Sequence, residues 1–282
     1  MSGREKNFLV IGTEMHQDLV EPLEWLQLQA RCIRVPDCPT AIRFVQEPSC
    51  PPIRAAVLVV ARPGLFRNDA LQALRQVLPL APLVALCSSW CEGQPGGDAW
   101  SGVFRWYWHH FVARCRRELL AEIPLDLAWP AVATESDRLY ARPATAPCRC
   151  AQPDARAKWV AIRAAHRTTF EALADALAVM GWKSVWWPPR QPPLWTSCPC
   201  LVWDMIQASD QEQQELLAFR MAYPHIPVLV TVGFPRYDDL LKWRTCCDQT
   251  TAACVRVLGK PFLIADLCEE VEGLMATTKK GD

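Results

Sequence analysis

Short apolar runs alternate along the chain with longer stretches in which apolar residues recur every three or four positions. That rhythm belongs to an α/β sheet with helices on its faces. Residues 8–12 predict a first strand, and Leu19, Leu23, Leu26 and Ala30 share a helical stripe over 18–30. A second strand follows at 31–35, and a short helix at 40–46 ends before Pro48. The run 55–60 is continuously apolar, as a parallel strand buried on both faces requires. Asn68 is placed to cap a helix over 69–78. Strands at 83–87 and 103–108 and a helix at 111–121 complete the series, with a glycine-containing loop at 93–97.

Residues 124–155 break this rhythm with Pro124, Pro130, Pro143, Pro147 and Pro153, and predict an inter-domain linker. The alternation then restarts, with strands at 159–162, 184–187, 201–203, 228–232 and 255–258. Helices are predicted between and after them at 169–180, 211–223, 238–244 and 264–275. The segment 188–199 holds five prolines, which rules out a regular helix there. The expectation is two tandem doubly wound parallel-sheet domains of flavodoxin-like type, 1–123 and 156–282, the second without a regular second helix.

Composition narrows the function classes. The chain is 51% hydrophobic and 21% charged, enough to bury two cores. Thirty basic residues meet thirty acidic ones, so no basic excess points to nucleic acid or an anionic membrane. The run Arg114, Arg116, Arg117 is expected to be a solvated helix face. No apolar stretch reaches membrane-spanning length, and the polar 1–7 segment is not a signal peptide, which together predict a cytoplasmic protein. Fourteen cysteines in a reducing compartment read as buried thiols, with a zinc site from the pairs Cys148/Cys150 and Cys198/Cys200 as the alternative. No metal or other cofactor is expected.

The second half resembles a response-regulator receiver domain. Lys260-Pro261-Phe262 stands between the last strand and the last helix, where that family carries Lys-Pro-Phe. Asp204 ends an apolar run where the family has its phosphoacceptor aspartate, and Thr231 lies in the segment that resembles the fourth strand. The helix ending at Gly181, followed by Trp182, is similar to the family's Gly-Tyr junction. The resemblance implies a carboxylate that attacks a phosphoryl donor, a divalent cation on two further carboxylates, and a lysine and hydroxyl on the phosphoryl oxygens. The acidic pair is missing: its positions fall on Ala164 and Ala165, with His166 and Arg167 next. An ungapped count also sets Thr231 one position early, with Val232 in its place. These departures make the half a pseudo-receiver, in which Asp204 and Lys260 are expected to form an ion pair.

The first half resembles the family only in its order of elements. Glu14 falls at one acidic position beside Thr13, the third strand leads into Ala61-Arg62-Pro63 with no aspartate, and His109-His110-Phe111 stands where Lys-Pro-Phe would be. This half is expected to be inert. Phosphate-cradling glycine loops and a nucleophile elbow are absent, and Cys87 with His109 is favoured only by residue type. Thirteen tryptophans, several beside prolines as in Trp186-Trp187-Pro188-Pro189, suit either packing or protein contact. The expected function is a non-enzymatic signalling or scaffold protein that binds protein partners or a second copy of itself. The alternative is a phosphorylation-responsive receiver that uses Asp204 with Lys260 and Thr231.

Overall fold

The computed structural model describes residues 6–92, 100, 102–120, 159–189, 199–246 and 255–278. The chain divides into two units, Met1–Ala144 and Thr145–Asp282. The predicted linker 124–155, the loop 93–97, and Cys148, Cys150 and Cys198 lie outside the described residues, as do residues 190–198 of the proline-rich segment.

The first unit runs β1 (Asn7–Ile11), α1 (Gln17–Gln29), β2 (Arg31–Val35), α2 (Cys38–Gln46), β3 (Ile53–Val60), α3 (Asn68–Val77), β4 (Leu83–Cys87), β5 (Val103–Tyr107) and α4 (Trp108–Arg114). Its five strands are all parallel, in the order β2-β1-β3-β4-β5. Every residue of β1 and β4 is buried, which is why these runs carry no polar alternation. Alternate residues such as Leu9, Ile11, Leu58 and Val60 meet Ala41 of α2 and Leu71 and Leu74 of α3. Helices α1 and α4 pack against each other.

The second unit repeats the plan. It runs β6 (Trp159–Arg163), α5 (Arg167–Ala178), β7 (Lys183–Trp187), β8 (Leu201–Asp204), α6 (Asp210–Ala222), β9 (Val228–Gly233), α7 (Tyr237–Thr245), β10 (Val255–Lys260) and α8 (Ile264–Thr278). Its sheet is again parallel, in the order β10-β9-β8-β6-β7. Val160, Ile162, Val202, Leu229 and Leu258 pack against Leu173 and Leu177 of α5 and Leu267 and Val271 of α8. Gly181 sits at φ +77° with nothing close to the place of a Cβ, so backbone conformation and not space selects glycine there. Trp182 N–H returns to the Leu177 carbonyl at 3.2 Å and closes the helix end.

Both units therefore have the flavodoxin-like strand order expected from sequence. In each, the second strand in sequence is at one edge and the chain reverses its direction of growth beside the first strand, which opens a crevice at the carboxyl ends of the strands. Three local expectations change. Arg67, not Asn68, precedes α3, and no side chain caps it. Helix α4 begins at Trp108 and continues as a wider turn over Cys115–Leu120. Arg114 is buried and Arg116 lies 5.1 Å over the Trp25 ring, so this basic run is not a plainly solvated face. Among the described residues no helix is long and apolar enough to cross a membrane.

Candidate functional site

The carboxyl edge of the second sheet gathers the residues that the sequence singled out. Asp204 is the last residue of β8 and Lys260 the last of β10, two strands away. The β8–β9 register sets Asp204 opposite Thr231. Residues opposed across parallel strands point to the same face, and the Thr231 hydroxyl donates to Asp204 Oδ1 at 2.7 Å. Lys260 Nζ lies 2.6 Å from the same oxygen and also donates to the Met205 carbonyl at 2.8 Å. Thr231 is thus the hydroxyl of this site and Val232 is not, because strand register and not sequence counting decides which side chain faces Asp204.

Burial sharpens the arrangement. The Asp204 side chain is 5% exposed and the Lys260 side chain 32%. A carboxylate taken out of water needs a charge partner and hydrogen bonds, and Asp204 has one of each on a single oxygen. At the first-strand end, Ala164 is fully buried and Ala165 is exposed. The Ala164 carbonyl accepts from Trp186 Nε1 at 3.1 Å. His166 and Arg167 are exposed, and Arg167 pairs with Glu171 one helical turn on at 2.8 Å.

Arg163 supplies a feature that sequence analysis missed. Its guanidinium lies 4.9 Å over the Trp187 ring and 4.6 Å over the Trp203 ring, and pairs with Glu215 of α6. Trp187 and Trp203 also meet edge-to-face at 5.6 Å, and both touch Phe219. Arg163 sits opposite Trp203 in the β6–β8 register and so shares its face. A cleft of about 380 Å³ opens here, lined by Arg163, Ala165, Trp203, Asp204, Ser209 and Glu212 among others. Ser209 and Glu212 form a capping box that fixes the start of α6. The hydrogen bonds of that box, with one from the Ile206 amide, hold the Glu212 carboxyl below its ordinary value against a burial effect that raises it.

The edge of the first sheet is not bare either. Glu14 pairs with Arg62 at 2.6 Å, so a cation meets the lone acid where a receiver would carry its aspartate. Asp18 is fully buried, receives the Ser89 N–H at 2.7 Å and lies 2.7 Å from His16 Nδ1. His109 Nε2 meets Glu92 Oε1 at 3.2 Å. Burial, and secondly the Asp18 charge, push the Glu92 carboxyl up to about 7. The Cys87 thiol donates to the Ala85 carbonyl at 3.7 Å. Among the described residues no three His, Cys, Asp or Glu side chains come together to hold a metal ion.

No protein-family model matches the chain, and no curated protein is similar enough to count as a relative. Several solved structures are similar to the chain at low identity. A response regulator from Thermotoga maritima is 18% identical over 43% of this chain and 98% of its own, with a TM-score of 0.33. The C-terminus of Escherichia coli RcsC, containing a linker region and phosphoreceiver domain, is 12% identical over 98% of this chain and 94% of its own, with a TM-score of 0.34. A glyoxylate reductase from Paecilomyes thermophila is also 12% identical, over 99% of this chain and 97% of its own, with a TM-score of 0.25. At such identities and scores the likeness says nothing of activity, and the receiver-like fold rests on the strand order above.

Proposed function

We propose that this protein is a non-enzymatic signalling scaffold, in which two receiver-like units serve as protein-binding modules. The observation that carries the proposal is the state of Asp204. Its carboxylate is held by Lys260 and Thr231, while alanines occupy positions 164 and 165. A carboxylate that attacks a phosphoryl group must first have both negative charges offset, which a divalent cation on neighbouring carboxylates does. Methyl groups cannot hold that cation. Three exposed apolar side chains, Ile206, Phe234 and Ile264, follow the ends of β8, β9 and β10 and give the same edge a surface suited to a protein partner. No nucleic acid, membrane or cofactor enters this reading.

The second reading is a phosphorylation-responsive receiver with Asp204 as acceptor and Lys260 and Thr231 as helpers. It is favoured by the convergence of those three groups on one oxygen. Tryptophan fluorescence during titration with magnesium and beryllofluoride separates the two, because Trp203 adjoins Asp204 and is buried. The scaffold reading expects no saturable change. A saturable change that Asp204→Asn abolishes overturns it in favour of the receiver. Partner capture and sizing test the scaffold directly, and a protein that stays an unaccompanied monomer in both sinks it.

A further inference from the structure

The cleft at the carboxyl edge of the second sheet holds chemistry that the Asp204–Lys260 pair does not use. Asp204 meets both Lys260 and the Thr231 hydroxyl on Oδ1. Among the described residues its Oδ2 has no hydrogen-bond partner, and that oxygen is not sealed in the core. A carboxylate only 5% exposed, with one oxygen unmet in the wall of a cavity of about 380 Å³, is aimed at whatever enters that cavity. Glu212 and Glu215 of α6 line the same cleft. Arg163 matches Glu215 and Lys260 matches Asp204, so among the described residues Glu212 is the charge that no cation offsets. Burial works against that charge, but hydrogen bonds from the Ile206 and Ser209 amides and the Ser209 hydroxyl outweigh it, and Glu212 stays ionised.

We propose that this cleft binds a lysine side chain of a protein partner, whose ammonium takes the open oxygen of Asp204. The inference rests on the scaffold reading and names the contact that the partner makes. An anion is the wrong occupant. The start of a helix attracts anions through its free amides, but Glu212 already holds those of Ile206 and Ser209, and Ser209 Oγ holds that of Glu212. The three carboxylates of the cleft meet two cations, which leaves one negative charge. One ammonium cancels it, whereas a divalent cation overshoots.

Lysine fits better than arginine. A guanidinium is strongest when its planar fork meets both oxygens of one carboxylate, and no carboxylate here has two to give. Asp204 Oδ1 is taken, Glu212 uses both oxygens in its capping box, and Glu215 divides its pair between Arg163 and Gln211. An ammonium is a compact charge that one oxygen can receive. Ala165, Trp203 and Ile206 supply an apolar wall for the four-carbon stem. The exposed Ile206, Phe234 and Ile264 at the same edge suit apolar residues beside that lysine.

The test titrates a short capped peptide, with one lysine between two leucines, into the isotope-labelled full chain. The Ile206 and Ser209 amide signals are followed by NMR. Saturable shifts are expected, with an affinity at least ~10-fold above that of the same peptide carrying norleucine, as for the loss of a charge-assisted hydrogen bond. The arginine peptide should bind more weakly than the lysine one. Glu212→Gln keeps the capping box, which accepts glutamine, and should weaken lysine binding ~3-fold while leaving the norleucine peptide unchanged. Ala165→Leu, at an exposed position, fills the cleft and should abolish lysine binding. Equal affinity for the lysine and norleucine peptides overturns the proposal, and so does lysine binding that both variants leave intact. Magnesium chloride that displaces the lysine peptide better than sodium chloride at equal ionic strength makes the cleft a metal site and counts equally against it. A captured partner that neither variant releases sinks the lysine contact and leaves the scaffold standing, whereas a chain that binds the peptide as expected but captures nothing sinks the scaffold alone.

Discussion

Removing Lys260 should cost the second unit more than removing the charge it serves. In Lys260→Met the Asp204 carboxylate stays 5% exposed and keeps the Thr231 hydroxyl alone, while the bond to the Met205 carbonyl is also lost. At 2.6 Å and an effective dielectric of about 20, the lost attraction is about 6 kcal/mol before desolvation is counted. Most of this is offset, because the pair was taken from water and Lys260 is one-third exposed. A net loss of about 3 kcal/mol follows, at the low end for breaking a buried pair. Asp204→Asn leaves a neutral amide beside Thr231 and an ammonium that can turn to water, and costs about 1 kcal/mol. The double variant should then be more stable than Lys260→Met alone, with a coupling of about 2 kcal/mol. Hydrogen exchange of the β8 and β9 amides in the full chain measures this without interference from the first unit. Equal and additive losses for the two single variants refute the reasoning, because they would mean that Asp204 does not need the ammonium.

Three further outcomes test the local physics. Glu92 has a folded-state value of about 7 against an ordinary 4.5, so its contribution is largest at low pH and is lost as pH rises from about 4.5 through about 7. Glu92→Gln should flatten that dependence and stabilise the first unit at pH 8, and denaturant titrations at pH 5 and pH 8 decide it. Gly181→Ala forces a side chain to φ +77° in open space and should cost about 1 kcal/mol. Lost exchange protection at the end of α5, with the rest of the unit unchanged, is the expected signature. Arg163→Lys keeps the charge near Glu215 but gives up stacking on Trp187 and Trp203, at a cost of about 1 kcal/mol and with a shift in tryptophan emission. Unaltered emission and stability would show that the two rings do not need a planar cation.

The sequence exposes the sheets better than the chemistry at their edges. The run 55–60 is legible because a strand buried on both faces needs no polar position, and Gly181 is legible because a left-handed backbone excludes most side chains. Asp204 and Lys260 could be named through the resemblance carried by Lys260-Pro261-Phe262 and by the apolar run that leads into Asp204. Thr231 could not be assigned by counting, since the β8–β9 register is set by how two strands pair and not by their spacing along the chain. The start of α4 was missed because Trp108, His109 and His110 give no amphipathic stripe, yet all three are buried there. Glu92 and His109 are joined by the pairing of β4 with β5, a neighbour relation that no local period encodes. Arg163 is not legible in the sequence because its place depends on which face the last residue of β6 presents.

The two edges also show how one topology can carry unlike chemistry. In both units the same strand order brings four strand ends to one crevice, so the fold decides where side chains meet but not which ones. In the second unit a single carboxylate is matched by one ammonium and one hydroxyl, which leaves its charge balanced without a metal. In the first unit the nucleophile position is given up, and Asp18, Glu92, His16 and His109 gather round a turn that also holds Cys91. Glu92 is pushed up mainly by its burial and then by the charge of Asp18, which makes that unit responsive to protons. An edge with its charges already paired suits a fixed binding surface, whereas an edge with a raised carboxyl has protonation states to choose between. The half with least resemblance to a phosphorylated switch is therefore the half whose chemistry is more open to change.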